Sequence, residues 1–190
     1  MTSQTDLFGA PAQEPAGLRL DPALIDADEQ SALVAVFAEL PFAPFEFHGW
    51  QGARRVVSYG SLYDFTRGRL EAAEPIPPFL HPLADRAAGF AGLKRDALAQ
   101  ALVTEYQPGA GIGWHRDRPQ YGQIIGISFG APARIRFRRR TASGWERRAL
   151  DLPSGSAYLL DGSARWDWEH SIAPMAALRY SVTFRTLRET

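Results

Sequence analysis

The second half of this sequence is divided into short runs of β-branched and aromatic residues, and this division restricts the folds open to the chain. From about residue 97 onward, turns that contain Gly or Pro separate the runs. Eight runs are predicted as strands: 100–106, 112–115, 123–129, 133–139, 145–150, 157–160, 168–172 and 179–187. Many short strands at this spacing predict a β-sandwich or jelly roll rather than a parallel α/β sheet.

The first half has helical signals instead. Asp26 can cap a helix that runs to about Leu40, and its apolar residues recur on one face. A second helical stretch follows the proline-rich segment 75–78, around residues 82–90. We therefore predict a mainly β protein with N-terminal helices.

The sequence predicts one folded domain and a tail. Residues 1–20 are rich in Ala, Pro, Gln and Thr and contain few large apolar side chains, which predicts a flexible tail. The domain is expected over residues 21–190, with the jelly-roll core at about 97–188.

Composition excludes several classes of site. The 190 residues contain no cysteine, which excludes thiolate metal sites, disulfides and cysteine nucleophiles. No apolar run reaches the roughly 20 residues that a membrane span requires, and the N-terminal residues do not have a signal-peptide pattern. We expect a cytoplasmic protein with no membrane partner.

The basic charge is almost entirely arginine, although the net charge is zero. Zero net charge argues against attraction of nucleic acid by the whole molecule. In the run 134–138, arginine alternates with apolar residues, so one face of that strand is wholly arginine. The arginines of the clusters 134–140 and 147–148 could contact phosphates, or they could protect an exposed strand edge from aggregation.

A candidate metal site is formed by His115, Asp117 and His170. Residues i and i+2 of a strand point to the same face, so His115 and Asp117 can converge on one ion. His170 lies at the start of a later strand, which a jelly roll can bring against the first one. Two imidazoles and one carboxylate leave adjacent positions open on an octahedral Fe(II), although zinc accepts the same ligands.

Further motifs extend this pattern. The segments Thr104-Glu105-Tyr106-Gln107-Pro108-Gly109, Trp168-Glu169-His170 and Arg179-Tyr180-Ser181-Val182-Thr183-Phe184-Arg185 occur in this order around His115 and Asp117. Over residues 50 to 188 the chain resembles the AlkB family of Fe(II)- and 2-oxoglutarate-dependent dioxygenases. The resemblance implies a double-stranded β-helix (jelly roll), with Fe(II), 2-oxoglutarate and O2 as cofactor and co-substrates. It also implies oxidative removal of alkyl groups from nucleobases.

The resemblance assigns roles to five polar residues. Arg179 matches the arginine that pairs with the distal carboxylate of 2-oxoglutarate, and Arg185 matches a second arginine near the co-substrate and iron. Tyr106 matches a tyrosine that hydrogen-bonds the co-substrate. Thr104 and Ser181 stand where the family has asparagine, and their hydroxyls are expected to keep hydrogen-bonding capacity.

The substrate assignment is less direct. Residues 55–63 resemble the family's nucleotide-recognition lid, and an extruded base needs aromatic walls. The candidates for those walls are Trp50, Tyr59, Tyr63 and Phe65, each of which could also be a core residue. Family members that act on cationic methylated bases often have an acid two residues after the metal aspartate, where this chain has Pro119. Glu169 or Asp167 is the alternative acid.

Three functions stay open from the sequence. The first is demethylation of alkylated nucleic acid, on lesions such as 1-methyladenine or 3-methylcytosine. The second is the same oxygenase chemistry on a protein or small molecule, which the zero net charge and the missing acid favour. The third is a metal-binding jelly roll without redox activity, if Thr104 and Ser181 abolish co-substrate binding.

The tail contains a possible partner motif. Gln4-Thr5-Asp6-Leu7-Phe8 resembles the pentapeptide with which bacterial replication and repair proteins dock on the sliding clamp. Leu7 and Phe8 would enter an apolar pocket and Gln4 would anchor the segment by hydrogen bonds. A tail with two incidental apolar residues is the alternative.

Overall fold

The computed structural model describes residues 14–47, 50–64 and 69–188, and for several residues beside these gaps it describes the backbone alone. The strands are β1 (Leu18–Asp21), β2 (Ala43–Phe47), β3 (Trp50–Tyr59), β4 (Ser61–Asp64), β5 (Arg69–Ala72), β6 (Leu98–Tyr106), β7 (Ile112–His115), β8 (Tyr121–Gly130), β9 (Ala133–Thr141), β10 (Gly144–Leu152), β11 (Ala157–Leu160), β12 (Glu169–Ile172) and β13 (Arg179–Leu187). The helices are α1 (Ala27–Ala38), α2 (His81–Ala91) and the short α3 (Gly162–Trp166).

The strands form two antiparallel sheets and a hairpin. The larger sheet has the order β1-β11-β8-β13-β6-β3-β2, and the smaller has the order β10-β9-β12-β7. Strands β4 and β5 pair only with each other among the described strands. This arrangement confirms the predicted jelly roll, and every strand predicted from the second half is present with bounds shifted by at most two residues.

The larger sheet has a core on each of its faces. Side chains such as Val103, Val182 and Phe184 face α1 and α2, where Phe37 and Leu83 are fully buried. The second core cluster includes Ile135 and Phe137 of the smaller sheet. Because side chains alternate along a strand, Thr104 and Tyr106 point away from the helices and toward the smaller sheet.

Helix α1 begins as the sequence predicts. The carboxylate of Asp26 accepts a hydrogen bond from the backbone N–H of Glu29 at 2.9 Å. Leu33 and Phe37, one turn apart, are the buried residues of this helix. An N-cap of this kind contributes about 1 kcal/mol, so the cap and the apolar face together define where α1 begins and which side it buries.

Two expectations from the sequence are wrong. Leu18 and Leu20, which were assigned to the tail, belong to β1 and pair with β11, and Leu18 is buried in the core. Strand β9 lies between β10 and β12, so it is not an edge strand and its arginines do not protect an edge.

The motif residues Gln4, Leu7 and Phe8 lie outside the described residues, and clamp docking stays a prediction. Along the described chain, no helix has the length and apolar content needed to cross a membrane.

Candidate active site

Strand pairing brings the three predicted metal ligands together. In the register of β7 and β12, His115 lies directly opposite His170, and their ring centroids are 4.3 Å apart. Asp117 follows two residues after His115 and lies on the same side. The ligand atoms of the three residues lie within 4.8 Å of one another, which is a spacing that one metal ion can bridge.

Neighbouring groups orient two of these ligands. Nε and Nη2 of Arg185 both donate to Oδ1 of Asp117, at 2.9 and 2.7 Å. The other carboxylate oxygen of Asp117, Oδ2, lies 3.4 Å from Nε2 of His170. A carbonyl oxygen can only accept, so the 2.9 Å contact between Nδ1 of His115 and the Gly113 carbonyl makes Nδ1 the donor. Nε2 of His115 and Oδ2 of Asp117 therefore remain available to a metal.

The electrostatics suit ligation. Burial, repulsion from His115 and the charge of Arg185 lower the pKa of His170 to about 3, although Asp117 acts in the opposite direction. His170 is therefore neutral at pH 7, which is the ligating form. Burial raises the pKa of Asp117, but the charge of Arg185, with smaller contributions from the histidines in their protonated forms, outweighs burial and holds it below the usual range. Asp117 is therefore an anion at neutral pH.

Arg179 is a buried cation without a carboxylate partner among the described residues. Its side chain is 1% exposed, its Nε donates to the Ser128 hydroxyl at 3.0 Å, and its Nη1 has no hydrogen-bond partner. Its guanidinium carbon lies 4.8 Å from the centroid of the Tyr106 ring. A buried unsatisfied donor on a charged group is costly. The site is therefore complete only with an anionic ligand, and a carboxylate matches the guanidinium geometry.

The two positions that depart from the family pattern are neighbours. Thr104 of β6 lies directly opposite Ser181 of β13, and both are buried and border the same cavity as Arg179. The departures therefore occur together on adjacent strands, where two hydroxyls replace the two asparagines.

A cavity of about 1140 Å³ contains the predicted metal ligands and the residues predicted to bind co-substrate. Sequence reasoning missed several of its residues. Ser128 and Gln100 hold Arg179 and Arg185, and Tyr158 enters the cavity over Gly126, where any Cβ would collide with its ring. The alternation of Gln100 with Thr104 and Tyr106 was the available signal for Gln100. Nothing in the sequence indicates that Gly126 accommodates Tyr158, because that contact depends on strand pairing.

The structure does not place the predicted substrate-binding residues at the cavity in the way that it places the metal ligands. Tyr59 is wrong as a cavity residue, because it is buried among the helices and lies edge-on to Phe79. The structure describes only the backbone of Trp50 and Tyr63, and Phe65 lies outside the described residues. The proposed replacement acids are also wrong, because Glu169 pairs with Arg138 on the outer face of the smaller sheet and Asp167 accepts from Ser163.

The comparisons with known proteins agree with this geometry. Residues 38–185 match the model of the 2OG-Fe(II) oxygenase superfamily. An Arabidopsis thaliana protein named "Alkylated DNA repair protein ALKBH8 homolog" is 30% identical over 174 residues, covering 77% of this chain and 47% of that protein. The chain belongs to the AlkB family of 2OG-Fe(II) oxygenases. Membership implies Fe(II), 2-oxoglutarate and O2, and the histidine–aspartate triad and the unpaired Arg179 fit the first two.

Further relatives of this AlkB-family chain agree. The Escherichia coli protein named "Alpha-ketoglutarate-dependent dioxygenase AlkB" is 28% identical over 148 residues, covering 72% of this chain and 66% of that protein. The solved structure of OsALKBH1 superposes with a TM-score of 0.70 at 16% identity, over 92% of this chain and 98% of that one, which shows the shared fold. The chain spans about half the length of the plant relative.

Proposed function

We propose that this protein is an Fe(II)- and 2-oxoglutarate-dependent dioxygenase that removes alkyl groups oxidatively from nucleobases in DNA or RNA. The observation that carries the oxygenase part is the arrangement of Arg179 beside the triad. A buried guanidinium with a free donor borders the same cavity as His115, Asp117 and His170. An enzyme that binds a metal and a dicarboxylate together needs both features in one cavity.

The chain's own residues have separate tasks in this reaction. His115, Asp117 and His170 would hold iron, while Arg185 and Gly113 fix the orientation of two of them. Arg179 would bind the distal carboxylate of 2-oxoglutarate, with Tyr106 beside it. Iron and 2-oxoglutarate, when bound, supply the oxidising chemistry: O2 is consumed, 2-oxoglutarate leaves as succinate and CO2, and the alkyl carbon is hydroxylated and lost as an aldehyde.

The nucleic-acid part is supported by the relatives and by the cavity. The plant relative is named as an alkylated DNA repair protein. The cavity volume of about 1140 Å³ exceeds what 2-oxoglutarate alone would fill and leaves room for an extruded base. Phe45 and Trp114 border the cavity, so aromatic side chains form part of the wall that an extruded base would meet.

The alternative is the same chemistry on a protein or small molecule. The observation that favours it is the position of Pro119, which borders the cavity where family members that act on cationic bases often have an acid. Such a substrate would be oxidised without any contact to phosphates.

One experiment tests both parts. The purified, iron-loaded protein is incubated with 2-oxoglutarate and ascorbate, and succinate is measured alone and with methylated DNA, methylated RNA or methylated peptides. We expect succinate formation, and formaldehyde only with the oligonucleotides. His115→Ala should abolish both products. Absence of succinate under every condition contradicts the oxygenase proposal, and formaldehyde from peptides alone favours the alternative.

A further inference from the structure

The cavity wall is positively charged in the part of the chain that the structure describes. Asp117 is its one acidic residue there, whereas six arginines border it: Arg54, Arg116, Arg118, Arg165, Arg179 and Arg185. Arg185 is neutralised by Asp117. Arg165, which is 3% exposed, donates three hydrogen bonds to the backbone carbonyls of Gly122, Arg118 and Tyr121, and these neutral acceptors leave its charge in place.

Bound cofactors do not reverse this charge. The two positive charges of Fe(II) would be balanced by Asp117 together with one carboxylate of 2-oxoglutarate. The distal carboxylate would be balanced by Arg179. Arg185 and Arg165 then remain as net positive charge close to the metal, and like charges in a partly desolvated cavity repel strongly. The loaded centre therefore has no net negative charge with which to hold a cation.

Arg54 is a cavity arginine whose guanidinium packs against an aromatic ring. It belongs to β3, borders the cavity, and its guanidinium carbon lies 3.7 Å from the centroid of the Phe45 ring. No hydrogen bond or ion pair joins it to the described residues. Burial and the nearby charge of Arg185 lower its pKa, yet a guanidinium stays charged at pH 7. The contact with Phe45 restricts the guanidinium, and its N–H donors have no hydrogen-bond partner among the described residues.

We propose that the cavity selects uncharged alkylated bases over cationic ones, and that Arg54 determines this selectivity by donating hydrogen bonds to a carbonyl oxygen of the base. This inference rests on the proposed function, because it assumes that the substrate is a nucleobase. A base such as 3-methyluracil is neutral and offers two carbonyl acceptors to the guanidinium. A base such as 3-methylcytosine carries a positive charge at neutral pH and would be repelled by it.

The pair 3-methyluracil and 3-methylcytosine makes a sharp test, because the two bases carry the methyl group on the same atom and differ at position 4. Single-stranded oligonucleotides of one sequence are prepared with either base. We expect kcat/KM for formaldehyde release to favour 3-methyluracil by about tenfold or more. Arg54→Gln should reduce this ratio several-fold, because Arg185 and Arg165 still repel the cation, and Arg54→Glu should reduce it further. Arg95→Gln, on the exposed surface near α2, is the matched control and should leave the ratio unchanged.

A binding measurement separates this inference from the proposed function. Fluorescence anisotropy under anaerobic conditions, with iron and 2-oxoglutarate present, reports the affinity for each oligonucleotide without turnover. We expect the same order of affinities as in catalysis. A preference of the wild-type protein for 3-methylcytosine, or an unchanged ratio in both Arg54 variants, overturns the inference even when demethylation itself is observed. Absence of formaldehyde from every oligonucleotide counts against the proposed function, whereas the affinity ratio still decides on Arg54.

Discussion

At the scale of single residues, Arg179 has the least usual environment in the site. It is 1% exposed, its Nη1 has no partner, and no described carboxylate neutralises it. Burying an unpaired charge costs desolvation free energy, and a bound anion would offset that cost. We therefore propose that its task is to bind the distal carboxylate of 2-oxoglutarate.

Arg179→Met should raise KM for 2-oxoglutarate by about 100-fold, because a charge-assisted, two-pronged contact is worth about 3 kcal/mol. Arg179→Lys keeps the charge but not the planar fork, so it should raise KM by about tenfold. Succinate formation against 2-oxoglutarate concentration measures both. Ser128→Ala removes only the partner of Nε and is the milder control. An unchanged KM in Arg179→Met would show that the co-substrate binds elsewhere.

The sequence predicted the residues that we propose to bind metal and co-substrate, and it missed the residues that hold them in place. His115, Asp117, His170 and Arg179 are recognisable because their residue types and spacing relate directly to metal and carboxylate binding. Ser128 has no such signature, since serine is common in strands. It became significant only when the pairing of β8 with β13 set it opposite Ser181 and within reach of Arg179. Contacts between distant strands depend on register, which a single sequence does not display.

At the scale of elements, two adjacent strands of the larger sheet, β3 and β6, are joined by an ion pair on the face away from the cavity. Arg55 of β3 donates through two nitrogens to the carboxylate of Glu105 in β6, at 2.7 and 2.9 Å. Glu105 is 4% exposed, and in register it lies between Arg55 of β3 and Tyr180 of β13. Burial raises the pKa of Glu105, but hydrogen bonds from Arg55 and Gln107 and the charge of Arg55 outweigh burial, so the pKa lies below its ordinary value.

Glu105→Gln should therefore lower the free energy of unfolding at pH 7 by about 2 kcal/mol, which corresponds to a fall in Tm of about 6 °C for a domain of this size. A carboxyl whose pKa is lower in the folded state stabilises the fold above its unfolded pKa of about 4.3 and loses that contribution as pH falls through the folded value. The difference in Tm between variant and wild type should thus be constant from pH 7 to about pH 5 and shrink below it.

The matched control is Asp85→Asn, whose pair with Arg95 is exposed on both sides. An exposed pair contributes little, so this variant should shift Tm by less than about 2 °C at any of these pH values. A Tm difference for Glu105→Gln that grows toward low pH would contradict the assignment of Arg55 and Glu105 as a stabilising pair.

The sequence predicted the strands correctly where turn residues separate short apolar runs. Strands β6 to β13 lie in the part of the chain where turns punctuate apolar runs, and all were predicted. Strands β1 and β2 were not predicted, because β1 has only four residues and β2 begins Ala43-Pro44, a start that the sequence does not distinguish from a loop. These two strands exist because the larger sheet offers them its edges, β1 beyond β11 and β2 beyond β3. Sheet membership of such short segments is decided by tertiary pairing.

At the scale of the whole molecule, the zero net charge conceals an uneven distribution. The outer face of the smaller sheet carries Arg134, Arg136, Arg138 and Arg140 of β9, with Arg147 of β10 opposite Arg138. Trp114 and Trp145 lie among them, with the guanidinium carbon of Arg138 4.5 Å from each ring centroid. Trp114 also borders the cavity, so this arginine face is continuous with the rim of the active site.

Only part of this charge is compensated. Arg138 pairs with Glu169 at 2.6 Å and Arg134 approaches Asp151 at 3.6 Å. Arg136, Arg140 and Arg147 have no carboxylate partner within the part of the chain that the structure describes. Edge protection is excluded for Arg136 and Arg140 of the internal strand β9, and phosphate contact is the interpretation from the sequence that remains for them, whereas Arg147 lies on the edge strand β10. Three uncompensated arginines beside exposed aromatic rings match the chemistry of a single strand of nucleic acid.

The triple variant Arg136→Ser, Arg140→Ser and Arg147→Ser should therefore weaken binding of a single-stranded oligonucleotide that extends beyond the cavity. Each lost phosphate contact reduces counterion release, so the slope of log affinity against log salt should decrease in magnitude by about 2. Affinity is measured by fluorescence anisotropy across a salt series. Turnover of a methylated trinucleotide, which is too short to reach from the cavity across the arginine face, should be unchanged.

A control of equal charge distinguishes this surface from a general effect of net charge. Arg19, Lys94 and Arg95 are exposed and lie away from the cavity and from the smaller sheet. Their combined substitution by serine changes the net charge by the same amount and should leave the salt slope nearly unchanged. If the two triple variants lose affinity equally, the attraction belongs to the charge of the whole molecule. In that case the arginines of β9 serve the packing of the smaller sheet through Trp114 and Trp145 rather than the binding of a strand.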